Sequence, residues 1–377
     1  MSDRTTSEFP RRLEDITTDW LAERLVESRI EGGNRLNGFS SRPVPKQGMT
    51  SLAHVLDLSY DGNPGDAPAR IIAKFAVDIE PVRVALAANR GYEREISFYN
   101  HFGKDAGICV PACYWAEYDA ETTACGLLLE YVDNIRTTDV FSGEVTEIED
   151  LVTCLAPFHA RWWNHPEALE RLTPGLAPFL IELANERLAP ALETMKGNYA
   201  EEVGDTLISL VELWLANCQT YASHERAEPQ TLIHGDLHRD QILFLSGGTE
   251  PFYVIDWQMA ACDTGANDLA HLLTAGLRPD QHEVHADSLI ERYHAGLITA
   301  GVEDYPVEQL RDSVRMGVAR LALFYMNAFA LGDVAPVLAW WDGDEVRRHH
   351  SFWDVTCGWT TRALEQHSVL EYLESLA

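Results

Sequence analysis

Two aspartates stand twenty residues apart in this 377-residue chain, each beside an apolar, β-like run. The first follows Leu232-Ile233-His234-Gly235, and the stretch goes on from Asp236 through Leu237-His238-Arg239-Asp240-Gln241 to Ile242-Leu243-Phe244. The second, Asp256, closes Tyr253-Val254-Ile255 and precedes Trp257-Gln258. Gly235 makes the first segment turn rather than run straight. Two carboxylates delivered in this way form the layout of a phosphoryl-transfer site, in which one accepts a proton and the other holds a divalent ion.

The length is too great for one small core and suits two lobes. With 46% apolar and 23% charged residues the chain reads as an ordinary globular protein. Its 29 basic against 59 acidic side chains give a formal charge of −30, so a polyanionic partner meets repulsion almost everywhere, which argues against nucleic acid and anionic membrane surfaces. Residues 1–10 carry one arginine and two acids without an apolar core, and no run approaches the roughly 18 consecutive apolar residues of a spanning helix, so a cytoplasmic location is expected. The seven cysteines (Cys109, Cys113, Cys125, Cys154, Cys218, Cys262 and Cys357) are odd in number, scattered and set mostly among apolar neighbours. They read as reduced core residues, and the Cys109/Cys113 pair has no second pair at metal spacing.

Residues 13–28 carry apolar positions at helical spacing, with Asp15 or Thr17 available as the cap. Residues 54–60 alternate as a half-buried strand, 61–66 turn the chain, and 71–76 continue as a second strand. Residues 45–51 form the turn that leads into the first of these. Lys74 is enclosed by Ile71, Ile72, Ala73, Phe75 and Ala76, so it must snorkel out or find an anion. The next helix supplies one. Around Glu95 the helical neighbours are Tyr92, Phe98, Tyr99 and Phe102, so its carboxylate emerges from the apolar face, whereas Glu93 faces water. A carboxylate on a buried stripe and a lysine on a buried strand explain one another.

Residues 126–132 read as a buried strand that abruptly becomes polar. After Asp133 the composition shifts to helices, with Leu151, Leu155, Phe158 and Trp162 on one face and Pro157 kinking the middle. His159 lies on this packed helix and reads as a satisfied core residue. Residues 180–221 read as two helices with acidic outer faces. No repeat and no low-complexity linker interrupts the chain.

The catalytic stretch resembles that of the aminoglycoside phosphotransferase and choline kinase-like superfamily, whose signature is H-G-D-x-x-x-x-N followed by I-D-[WFY], and its details are most similar to the ecdysteroid-kinase-like branch. The resemblance implies an α+β, bilobal, protein-kinase-like fold. Residues 1–132 would form a small antiparallel-sheet lobe with a helix that binds nucleotide, and residues 133–377 a larger, mostly helical lobe that binds the acceptor. It implies ATP and Mg²⁺ as cofactors, Asp236 as the catalytic base, and Asp256 with Gln241 as metal ligands. Lys74 and Glu95 match the ion pair that positions the ATP phosphates, and Gly48, Thr50 and Ser51 the loop that covers them. The backbone of Glu130 and Val132 would meet the adenine edge. Asp268 matches the aspartate of the G-x-x-D-L-A element and would brace a loop. The implied reaction transfers the γ-phosphoryl group to a hydroxyl of a small molecule.

Gln241 departs from the expected asparagine by one methylene, and Mg²⁺ tolerates little deviation from octahedral geometry. An ATP-binding module without transfer activity is therefore the alternative. A further one takes His234, Asp236, His238 and Asp240 as metal ligands of a hydrolase, since their spacing shares one face if the segment is a strand. Gly235 also stands where protein kinases carry an arginine that receives a phosphorylated loop, which favours a small-molecule acceptor. Phe324, Tyr325, Phe329, Trp340, Trp341, Phe352, Trp353 and Trp359 supply aromatic surface to core and acceptor pocket alike.

Overall fold

The computed structural model describes residues 9–45, 50–77, 79, 90–136, 138–172, 184–247 and 251–377. The chain divides into two compact units, one of residues 1–137 with 242–259, the other of 138–241 with 260–377.

The first unit is built on a five-stranded antiparallel sheet in the order β1-β2-β3-β5-β4. Its strands are β1 (Leu36–Pro43), β2 (Ser51–Tyr60), β3 (Arg70–Ala76), β4 (Cys113–Asp119) and β5 (Ala124–Glu130). The two strands expected at 54–60 and 71–76 are thus the middle of a larger sheet. A helix, α1 (Thr18–Glu27), lays Leu21 and Leu25 on this sheet beside Ile16, Leu36, Leu56, Ile71 and Phe75. The expected span of 13–28 is broken, with a short 3₁₀ turn at Leu13–Asp15 and Thr17 as the cap, its hydroxyl accepting from Trp20 N at 3.2 Å. Thr17 is the better cap because its oxygen satisfies a first-turn amide that lacks a helical partner.

Helix α2 (Gly91–His101) buries Tyr92, Glu95, Phe98 and Tyr99, while Glu93 stands at the surface against Arg90, as the spacing requires. The segment 242–259 joins this unit through the hairpin β7 (Ile242–Phe244) and β8 (Phe252–Val254), which is tied to 109 and 135 by the Val254 N to Cys109 O bond and the Ile135/Leu245 bridge.

The second unit is mostly helical. Its two-stranded ladder pairs β6 (Thr231–Ile233) with β9 (Ala261–Asp263). Around it stand α3 (Val145–Arg161), α4 (Asp205–Ala227), α5 (Ala266–Gly276), α6 (Pro279–Thr299), α7 (Val307–Met326), α8 (Ala335–Gly343) and α9 (Trp359–Gln366). Helix α3 runs through Pro157. Residues 184–227 hold more breaks than the two expected helices, with separate segments at Ala184–Leu188, Ala189–Asn198 and Ala200–Val203 before α4. Residues Val307–Leu331 are long and apolar enough to cross a membrane, but 61% of that window is buried inside the protein, as befits a core helix.

All seven cysteines are free thiols. Burial pushes the Cys125, Cys262 and Cys357 thiols up to about 12, which marks them as inert packing groups.

The core of the second unit contains a buried charge cluster of three residues. Arg320 on α7 donates from Nη1 to Glu225 at 2.7 Å and from Nη2 to Asp263 at 2.9 Å, and all three side chains are buried. Arg320→Leu would leave two carboxylates facing each other without a cation. The variant is expected to lose about 3–5 kcal/mol, read as a lowered urea midpoint; a loss below about 1 kcal/mol, the scale of a surface pair, would contradict the assignment.

Candidate active site

In the first unit, Lys74 occupies the middle of β3, flanked by β2 and β5. Its Nζ lies 2.7 Å from Glu95 Oε1 on α2 and 2.9 Å from Asp256 Oδ1 just beyond β8. Burial pulls the ammonium down, but the carboxylates of Asp256 and Glu95 outweigh it and raise Lys74 above its ordinary value. Burial pushes the Glu95 carboxyl up, against the pull of Lys74. Lys74, Glu95 and Asp256, three of the residues singled out in the sequence, therefore form one charge cluster.

The chain reaches Asp256 in a left-handed conformation, φ +63°. Aspartate is among the few side chains that occupy this region, at a cost of about 1–3 kcal/mol. The next residue offsets it. Trp257 is fully buried and stacks on Phe98 of α2, with ring centroids 3.7 Å apart and planes within 4°. Since Phe98 follows Glu95 by three positions, one face of α2 presents both the carboxylate and the stacking ring.

Ser51 opens β2 and is buried, while the carbonyl of Thr50 accepts from Tyr92 Oη at 2.6 Å. Gly48 lies outside the described residues. Glu130 ends β5, its amide donating to Ala112 O at 2.8 Å, so a ligand would meet it through the carbonyl; Val132 is buried two residues on.

In the second unit, β6 runs into the loop that carries Asp236. Gly235 has φ +82°, the left-handed region where glycine is at ease. Asp268, fully buried on α5, accepts His234 N at 2.7 Å and Gly235 N at 2.8 Å. His159 Nε2 is 3.3 Å from the same carboxylate and its Nδ1 2.7 Å from Tyr293 Oη, so this histidine is a satisfied core residue. The loop turns at Gly235 and does not extend β6, so His234, Asp236, His238 and Asp240 do not share a strand face. Among the described residues, no cluster of three or more His, Cys, Asp or Glu is arranged to hold a metal ion.

The Asp236 side chain is 33% exposed, which leaves it open to a solute. Gln241 Nε2 lies 3.4 Å from its Oδ2 and 3.4 Å from His238 Nε2. His238 Nε2 stands 3.7 Å from Oδ2, and His271 Nε2, from α5, 3.6 Å from Oδ1. Burial would raise the Asp236 carboxyl, but the imidazoles of His238, His271 and His234 hold it well below the usual carboxylate range. His238 is lowered by burial but raised on balance by Asp236, whereas burial leaves His271 at about 4.

Sequence reasoning missed three parts of this loop. Arg239 is buried, bonded to Glu147, to Glu144 O at 2.8 Å and to Gly276 O at 2.7 Å. Any side chain at Gly143 would meet its guanidinium, since a Cβ there would lie 2.2 Å from Nη1. Asp240 pairs with Arg347, whose guanidinium lies 4.7 Å from the Trp340 ring centroid and 5.9 Å from that of Trp341. His271 is the third. Of the three only His271 carried a local signal, a polar residue inside the apolar run Leu269-Ala270-His271-Leu272-Leu273.

The profile of a family described as "Uncharacterized oxidoreductase dhs-27" (DUF1679) matches residues 84–338. The chain belongs to this family, which is ecdysteroid-kinase-like. Among solved structures, a choline kinase from Cryptosporidium parvum Iowa II superposes with a TM-score of 0.52 at 11% identity, covering 95% of this chain and 96% of that one. A mutant aminoglycoside 2'-phosphotransferase-IIIa in complex with GDP gives 0.50 at 14% identity, covering 93% and 97%. At these identities the likeness is one of fold, the bilobal kinase-like α+β class. No curated protein matches the chain.

Asp268 carries a direct test of the loop. Asp268→Ala removes the acceptor of two amides beside buried His234, and each orphaned donor costs about 1–3 kcal/mol. Thermal unfolding is expected to show a loss of roughly 2–5 kcal/mol, with Asp268→Asn in between because it keeps one acceptor oxygen. Equal stability of Asp268→Ala and wild type would show that the loop does not depend on this brace.

Proposed function

We propose that the protein is an ATP-dependent phosphotransferase that phosphorylates a hydroxyl group of a small molecule. The observation that carries this reading is the buried Lys74 between Glu95 and Asp256. A lysine held by a helix carboxylate is the device that fixes nucleotide phosphates in the kinase fold, and a purely structural pair would not need the strained Asp256 beside it.

Lys74 neutralises phosphate charge, with Glu95 keeping it in place. Asp256 offers a hard carboxylate oxygen that suits Mg²⁺, and the carbonyl oxygen of Gln241 is the second candidate ligand. When bound, the ion would supply positive charge to the phosphates. Thr50, Ser51 and Gly48 contribute to covering the phosphates, and Glu130 O and the backbone of Val132 meet the base. Asp236 orients the acceptor hydroxyl and takes its proton. Positioning and charge neutralisation supply most of the barrier reduction in such a transfer.

The activity in the family's description is said of the protein it names. In this chain no two glycines stand two positions apart, so the G-x-G core of the dinucleotide fingerprint is missing, and the main sheet is antiparallel rather than the parallel sheet that binds such cofactors. Both features support the phosphotransferase reading over a nicotinamide-dependent one. The free cysteines agree with a cytoplasmic setting.

Calorimetry with Mg²⁺ present is expected to show ATP binding; no binding of ATP or GTP would sink the proposal. The two aspartates are expected to separate in kinetics. Asp256→Ala should lose metal-dependent nucleotide binding as well as turnover, whereas Asp236→Asn should keep nucleotide affinity and lose turnover. Equal loss of affinity in both would contradict the roles.

A second reading, nucleotide binding without transfer, is favoured by Gln241, whose amide nitrogen is the group turned to Asp236. If its carbonyl oxygen serves the ion, Gln241→Ala should cut turnover by about 3 kcal/mol of transition-state stabilisation, with ATP affinity less affected. Unchanged nucleotide affinity together with no phosphorylation of any hydroxyl by the wild type would favour the binding module.

A further inference from the structure

Helix α5 reaches the Asp236 loop twice. Asp268 on its first turn accepts the amides of His234 and Gly235, and His271, three residues on and on the same face, brings Nε2 to 3.6 Å from Asp236 Oδ1. The other carboxylate oxygen faces Gln241 Nε2 at 3.4 Å and His238 Nε2 at 3.7 Å. Nitrogen atoms therefore flank both oxygens, two from the loop and one from the helix. Loop contacts move with the loop. The contact from α5 ties the carboxylate to an element outside the loop, and the His271 side chain, 11% exposed, has little room to follow a swinging aspartate.

We propose that His271 is a positioning residue that fixes the Asp236 carboxylate in the orientation from which it meets the acceptor hydroxyl. The proposal rests on the phosphotransferase reading. A proton acceptor must lie within hydrogen-bond reach of the proton it takes, and its contacts tighten when substrate binds. A displacement of about 1 Å costs on the order of a hundredfold in rate, so an aspartate this exposed gains from a fixed neighbour. Asp236, Asp268, His238 and His234 are the titratable groups that face His271.

Two measurements test this. With Mg·ATP and water as the acceptor, His271→Leu is expected to lower kcat about 10- to 100-fold while KM for ATP stays within about twofold, since the contact acts only on the base. His271→Gln, whose amide nitrogen reaches the place of Nε2, is expected to recover most of the rate. A His271→Leu enzyme as fast as wild type, or a His271→Gln enzyme as slow as His271→Leu, overturns the proposal.

The second measurement needs no turnover. In ¹⁵N-histidine-labelled protein, Asp236→Asn is expected to move the His271 titration midpoint downward, because a neighbouring negative charge is removed. An unmoved midpoint in an enzyme that does turn over ATP overturns this proposal alone. A wild type that binds Mg·ATP and never turns it over overturns the phosphotransferase reading, and this proposal with it.

Discussion

An ammonium group deep in a sheet is stable only if anions meet it, and the first unit is arranged around that requirement at Lys74. The lysine enters on β3, Glu95 on α2 and Asp256 at the end of β8, so three separately folded elements must arrive at one point. Removing the lysine leaves two carboxylates, one of them fully buried, without a cation, a penalty of several kcal/mol. The Phe98/Trp257 stack then holds α2 against the segment that follows Asp256. Buried charge and flat aromatic contact reinforce each other, because both depend on the same register of α2.

In the second unit the same logic acts on a loop rather than on a strand. A loop that presents the carboxylate proposed to react must leave that group accessible and still not move, and its backbone amides supply the means. Asp268 takes two of them, and Arg239 sends its guanidinium back to α3 and to the end of α5. Asp240 adds a third tether through Arg347. These contacts fix the loop without using Asp236 itself. Rigid support around an exposed functional group is the arrangement that gives precise placement.

How much of this was legible in the sequence depended on whether the signal was local. The Lys74 and Glu95 positions could be read because each is a charge inside an apolar repeat, and a repeat of period two or 3.6 assigns the face directly. Asp256 as the third partner was not legible as a contact, since it depends on the pairing of β7 with β8 and their attachment to 109 and 135. Strands β1 and β4 escaped notice for another reason. Most of β1 is exposed and β4 is half-buried throughout, so neither shows the alternation that marks a strand. Arg239 reads as a surface arginine until Glu147, ninety-two residues earlier, is placed beside it.

The departure from the family signature, Gln241, lies in the same short loop as Asp236. Glutamine at 241 is one carbon–carbon bond, about 1.5 Å, longer than the asparagine it replaces, and that added length carries its amide to within 3.4 Å of Asp236. The imidazoles of His238, His271 and His234 hold the same carboxylate in its charged form, well below the usual carboxylate range. Such a group has low proton affinity and is a poor base in the ordinary sense. In the proposed reaction that is no obstacle, because transfer through a loose transition state asks little of the base until the new bond is nearly formed. What it does ask is that the hydroxyl be aimed, and an aspartate locked by Gln241, His238 and His271 is better suited to aiming than to storing a proton.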